Sequence, residues 1–176
     1  MTQPAAPAAP RLLDAEAIYA DLKAAVAARL AAGRSPALIG VHSGGAWIAT
    51  RLHAELCPDA PLGFLSSAFH RDDYAERGLR ATGSGSTRID FPVDGADILL
   101  VDDILYTGRT VRAALNEIFD YGRPHRVELA VLLDRGGREL PVQADCVGAV
   151  LPLQPSQGFV LGRDPDGRFT LAVEAV

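Results

Sequence analysis

Residues 98–110 read ILLVDDILYTGRT. Four aliphatic residues, two adjacent carboxylates, two more aliphatics and a small-residue turn describe a buried strand running into Asp102 and Asp103. Two like charges at a strand end repel, and each loses solvation when it is covered. Something cationic or hydroxyl-rich is expected to meet them there. Directly afterwards, Thr107, Gly108, Arg109 and Thr110 supply two hydroxyls, a flexible glycine and the first amides of a following helix, a combination that cradles a phosphate dianion. Acids and cradle stand about four residues apart, which suits a ribose 5-phosphate: phosphate at the helix start, carboxylates facing ribose hydroxyls directly or through a divalent cation. Two other readings compete. A Walker B-like metal site calls for a G-x-x-x-x-G-K-[ST] loop, which the sequence lacks. A merely solvated strand end leaves the turn behind it unexplained.

The flanking segments repeat the pattern of strand, turn and helix. Residues 96–104 form a continuous apolar strand, and 110–122 place Val111, Leu115, Ile118 and Phe119 on one helix face before Gly122 and Pro124. Upstream, 36–42 (PALIGVH) read as a short apolar strand, SGG as a turn and AWIATRLHAEL as a helix closed by Pro58. Residues 14–33 make an Ala- and Leu-rich helix, with Ile18, Leu22, Val26 and Leu30 spaced by fours and Gly33 as a stop. Downstream, 125–137 give another buried strand, and shorter strands are predicted at 145–151, 158–162 and 168–173. Residues 62–71 fit a further strand, and the polar, glycine-rich 72–88 a flexible loop. Its GSGS follows no good strand, so a dinucleotide fingerprint is rejected. Strands alternating with helices imply an α/β architecture with a mainly parallel sheet whose ligands sit at the carboxyl ends of the strands.

Composition narrows the classes. A chain of 176 residues, 48% hydrophobic and 22% charged, fits one domain with a substantial core. The formal net charge of -5 offers no global attraction to nucleic acid or to anionic membrane. Cys57 and Cys146 have no metal-ligand or disulfide spacing, which agrees with a reducing compartment and a cytoplasmic location. No stretch has the length of an apolar membrane span, and residues 1–11 read as a disordered Pro/Ala lead to a single domain over 12–176. His53 and His125 read as helix-surface and loop residues; Trp47 and the phenylalanines read as core or dimer contacts.

The same residues carry a resemblance. ILLVDDILYTGRT is similar to the phosphoribosyl pyrophosphate (PRPP) signature of type I phosphoribosyltransferases. With Tyr106, and with TVRAAL, YGRP and LAVLLDRGGRELPVQADCVG behind it, the chain resembles the pyrimidine operon attenuator/uracil phosphoribosyltransferase (PyrR) family, most clearly over 97–148. The resemblance implies a type I phosphoribosyltransferase fold, a twisted, mainly parallel sheet flanked by helices with a small hood. It also implies transfer of phosphoribose from PRPP to uracil with Mg2+, giving UMP and pyrophosphate. A homodimer or higher homo-oligomer goes with it, as does binding of the leader of pyrimidine-operon mRNA in some members. Alternatives are an RNA regulator that senses UMP with little turnover, and a transferase for another base.

Carried over position by position, the resemblance puts Asp102 and Asp103 on the ribose hydroxyls or on the magnesium that accompanies PRPP. Tyr106, Thr107, Gly108, Arg109 and Thr110 surround the 5-phosphate. Val41, His42, Ser43, Gly44 and Gly45 form the pyrophosphate loop, where His-Ser-Gly-Gly stands in place of the more usual KTRG, so that Arg71 carries more of the leaving-group charge. Asp134 and Arg135, with the backbone around Asp145, Cys146 and Val147, fall near the base. Gly137 stands where a histidine is usual.

Overall fold

The computed structural model describes residues 13–66 and 86–175. Five parallel strands, β1 (Ala37–Val41), β2 (Leu62–Leu65), β3 (Asp97–Leu105), β4 (Arg126–Asp134) and β5 (Cys146–Val150), form one sheet in the order β2-β1-β3-β4-β5. A separate antiparallel hairpin follows, β6 (Gln157–Arg163) and β7 (Phe169–Ala175). Helices α1 (Ala15–Ala31), α2 (Gly44–Leu56) and α3 (Arg109–Tyr121) cover the sheet.

The strands are apolar on both faces because both are covered. Leu38, Leu99, Val101, Ala130 and Leu132 pack with α1, α2 and the hairpin, whereas their neighbours Ile39, Ile98, Leu100, Leu129 and Val131 pack with Val111, Ala114 and Ile118 of α3. The strand order then defines where ligands go. From β1 the chain crosses through α2 to β2 on one side; from β3 it crosses through α3 to β4 on the other. The loops leaving β1 and β3 therefore part at a crevice between adjacent strands, the place where open parallel sheets bind ligands.

Three expectations shift in detail. The buried face of α1 is Ala15, Tyr19, Leu22 and Val26, with Ile18 and Leu30 only partly covered. A strict spacing of four advances about 40° per step around a helix of 3.6 residues per turn, so a straight sheet collects mixed steps of three and four instead. In α3 small Ala114 joins Val111 and Ile118 against the sheet, leaving Phe119 exposed. The strand predicted at 62–71 ends at Leu65 in the described part; Phe64 then bridges Arg88 through two backbone bonds of 2.8 Å. The strand containing the acid pair runs Asp97–Leu105, against the 96–104 read from the sequence. The lead at 1–11, Arg71 and most of the loop at 72–88 lie outside the described residues.

Candidate active site

Strand alternation sends adjacent side chains to opposite faces, so Asp102 and Asp103 diverge. Asp102, 5% exposed, is the sole buried charged residue of the described core; one of its carboxylate oxygens accepts the Asp103 amide at 2.9 Å. Asp103 is partly exposed and lies against Gly44, where an added Cβ would collide with its carboxylate. Gly45 packs equally tightly on the Val101 carbonyl and on Asp102 Cα. Two loops far apart in sequence thus meet through glycines, and the predicted pyrophosphate loop is brought onto the predicted ribose acids.

In that first loop, Val41 ends β1 with its side chain buried, and the His42 amide donates to Leu65 O at 2.9 Å. The His42–Ser43 peptide is cis. The His42 ring packs on Phe64 with centroids 5.5 Å apart, and burial pushes its imidazole below the ordinary histidine range. Helix α2 starts at Gly44 with no side-chain cap on its first amides. At the second loop, Gly108 takes a left-handed conformation (φ 92°) that a side chain would resist, and α3 starts at Arg109, again with no side-chain cap from the residue before it. Thr107 Oγ1 accepts the Arg109 amide at 3.3 Å. Two helix amino ends, each a seat for an anion, therefore flank an acid pair.

The segment after β4 behaves differently from expectation. Asp134, predicted near a base, has both carboxylate oxygens engaged: one accepts the Gly136 amide at 2.9 Å, the other pairs with Arg138. Arg135 lays its guanidinium 3.7 Å from the centre of the Tyr106 ring, which is 38% exposed. Arg109 pairs with Glu139 at 2.8 Å, so its side chain is held toward this segment. Cys146 and Val147 lie inside β5, paired with Ala130 and Val131. The Cys146 side chain is 2% exposed beneath α1, and burial raises its thiol above the usual range. Two strand spacings, about 10 Å, separate β5 from β3. The Cys146 and Val147 side chains thus pack within the sheet, and the end of β5 beside Asp134 is Val150. Arg138 and Glu139 carried no expectation, although Asp134-x3-Arg138 is the spacing of an ion pair.

A phosphoribosyl transferase domain model matches residues 9–164. The chain belongs to the phosphoribosyltransferase family. Within that family it groups with the PyrR proteins: it is 47% identical over 169 residues to the bifunctional protein PyrR of Ralstonia nicotianae, covering 92% of this chain and 95% of the relative. Against the bifunctional protein PyrR of Nitrosococcus oceani the identity is 48% over 161 residues, with 89% and 90% covered. A hypoxanthine-guanine phosphoribosyltransferase structure from Bacillus anthracis superposes with TM-score 0.66 over 94% of this chain and 100% of that one, at 19% identity. That likeness is one of fold, and the sheet described above is the type I phosphoribosyltransferase sheet.

Proposed function

We propose that the protein transfers the 5-phosphoribosyl group of PRPP to uracil, forming UMP and pyrophosphate. The observation that carries this reading is the meeting of Gly44 and Gly45 with Asp103 and Val101, which sets the start of α2 beside the acid pair, with the start of α3 at the end of the same strand. PRPP has the matching order of charges: a phosphate, a ribose with two hydroxyls, and a diphosphate. The Thr107–Thr110 turn takes the 5-phosphate, Asp102 and Asp103 accept from the ribose hydroxyls, and the His42–Gly45 loop faces the diphosphate.

The chemistry asks for charge management rather than a protein nucleophile. As the bond between C1 and the diphosphate oxygen breaks, the ribose gains oxocarbenium character, which a nearby carboxylate stabilises, and negative charge grows on the leaving group. Backbone amides at the start of α2 are aimed where that charge develops. Asp103 fits a magnesium ion arriving with PRPP, since it is a partly exposed hard-oxygen donor on the rim, and the diphosphate brings most of the remaining oxygens. Asp103 would help hold such an ion, which would supply neutralisation of leaving-group charge. The ring nitrogen of uracil forms the new bond to C1 as the bond to the diphosphate oxygen breaks, and its proton passes to solvent or to the departing pyrophosphate.

The test is pyrophosphate release from PRPP and Mg2+ across a panel of bases. Release with uracil above all others supports the proposal; preference for a purine replaces the substrate, and no release with any base removes the activity. A second reading, an RNA regulator that senses UMP, is favoured by the relatives named bifunctional. Against it, Lys23 is the lone lysine among 17 basic side chains, and Arg29, Arg34, Arg51, Arg109 and Arg138 are all engaged with carboxylates. Binding of pyrimidine-operon leader RNA that strengthens with UMP and falls steeply with salt would promote it.

A further inference from the structure

Segment 135–142, which follows Asp134 and opens with Arg135, is spent on the loop 105–109. The Arg135 amide donates to Leu105 O at 3.0 Å, and the amides of Glu139 and Leu140 both donate to Thr107 O at 3.0 Å. Arg138 takes the carbonyl between them: one terminal nitrogen donates to Tyr106 O at 2.6 Å and, more weakly, to Leu105 O at 3.4 Å. Its Nε donates to Val142 O at 3.0 Å, and its other terminal nitrogen holds Asp134. Three consecutive carbonyls, of Leu105, Tyr106 and Thr107, are therefore pulled toward one side.

Peptide geometry turns this into a statement about the opposite side. In a trans peptide the carbonyl and the following N–H point in opposite directions, and the cis bond of the described residues is elsewhere, at His42–Ser43. With their carbonyls drawn into segment 135–140, the amides of Tyr106, Thr107 and Gly108 face away from it; none of the three donates to another described residue. Successive amides turned to one side form a concavity for an anion. Leu140 and Val142 close the back of the same loop, standing so near Gly108 that an added Cβ would be crowded.

We infer that Arg138 is a positioning residue for the 5-phosphate: by holding the carbonyls of Leu105 and Tyr106 against Asp134 and Val142, it turns the loop amides toward the phosphate before the ligand arrives. The inference rests on the phosphoribosyl reading above. Arg138 does not touch the phosphate in this arrangement; it acts through the peptide planes. A guanidinium is suited to the task because its planar fork reaches several acceptors at fixed angles, which an ammonium does not.

The measurement is the ratio of UMP to uridine affinity, by calorimetry, for the wild-type protein and for Arg138→Ala and Arg138→Lys. The ratio isolates what the phosphate contributes, so general loosening of the fold, which weakens both ligands alike, leaves it unmoved. Arg138→Ala is expected to lower the ratio about tenfold or more, the scale of one charge-assisted hydrogen-bond network lost. Arg138→Lys should recover only part of it, and the KM for PRPP should rise more than kcat falls. A wild-type ratio in a folded Arg138→Ala protein overturns the inference and leaves the phosphoribosyl reading standing. Should the alanine variant not fold, an unchanged ratio in Arg138→Lys overturns it equally. Wild-type protein that binds UMP no better than uridine overturns both.

Discussion

Glu128, toward the amino end of the sheet, and Asp103, at its carboxyl end, are held in opposite ways. Toward the amino end of β4, Glu128, with its side chain 13% exposed, meets Arg29 at 2.9 Å, Arg34 in a closer pair and Arg126 at 3.9 Å. Arg29 also reaches Asp145, whose carboxylate accepts the Leu129 amide at 2.9 Å. These charges cancel one another and fasten the end of α1 to β4 and to the residue before β5. At the carboxyl end, Asp103 makes no ion pair among the described residues and is set in place by the bare backbone of Gly44. Acids surrounded by guanidinium groups are part of the framework; an acid presented by glycine beside two helix amino ends serves, on the function proposed above, a ligand that brings its own cation.

The sharpest way to break this contrast is Asp103→Asn. Removing the charge takes away charge-assisted bonds to ribose and support for the cation-like transition state, so pyrophosphate release should fall between about ten- and a thousandfold. The melting temperature should stay close to that of the wild-type protein, since no ion pair among the described residues is lost. Wild-type turnover in this variant would reduce Asp103 to a rim charge.

Glu128→Gln should show the reverse. It leaves three guanidinium groups around a neutral amide in a largely covered position, and lies between the exposed and the fully buried ion-pair cases, so a loss of about 1–3 kcal/mol is expected. In a chain of this size that is a fall of several degrees in melting temperature. Turnover per folded molecule should hold. A steep loss of activity at unchanged stability would mean that the two ends are coupled.

Thr107→Val probes the site end more gently. Its hydroxyl oxygen accepts the Arg109 amide while the proton stays available to a phosphate, so valine removes a cap and a donor with little change in shape. UMP affinity should drop by about 1–2 kcal/mol, close to tenfold, and uracil alone should bind as before. Calorimetry that finds UMP affinity unchanged would move the 5-phosphate away from this turn.

How much of this could be read beforehand follows from what each feature depends on. The units β1–loop–α2 and β3–loop–α3 were legible because apolar runs, small-residue turns and helix periodicity are local. The length of β3 was legible to within a residue at each end, and Ile104 and Leu105 carry it past the acids to pair with Leu133 and Asp134. Gly44 against Asp103 is a contact between distant loops and left no local mark. The burial of the Cys146 side chain hung on register: pairing Cys146 with Ala130 puts it inside the sheet. Arg138 was hidden for a further reason, since most of its acceptors are backbone carbonyls, which no residue pattern records.

The smallest effect belongs to a third set of charges, which fastens the hairpin to the helices and is neither rim nor amino end. Glu16 accepts two bonds from Arg51, at 2.8 and 2.9 Å, and one from the Phe169 amide at 2.7 Å. The Arg51 guanidinium holds the Glu16 carboxyl below the usual carboxylate range, against an opposing push from burial. Glu55 is lowered as well: burial pushes it up, but bonds from Arg51, Tyr19 and Lys23 outweigh it. Because both groups bind protons less readily when folded, the unfolded chain takes up more protons in acid, and stability must rise with pH there. Their contribution is complete above the ordinary glutamate range near 4.5 and is lost as pH falls through the lowered folded values. Melting temperatures measured from pH 6 down to about pH 3 should therefore decline, and Glu16→Gln, which cannot titrate, should start lower and decline less. Parallel curves for the two proteins would show that this ionic cluster adds nothing to acid lability, and would leave the Glu128 cluster as the framework's main electrostatic tie.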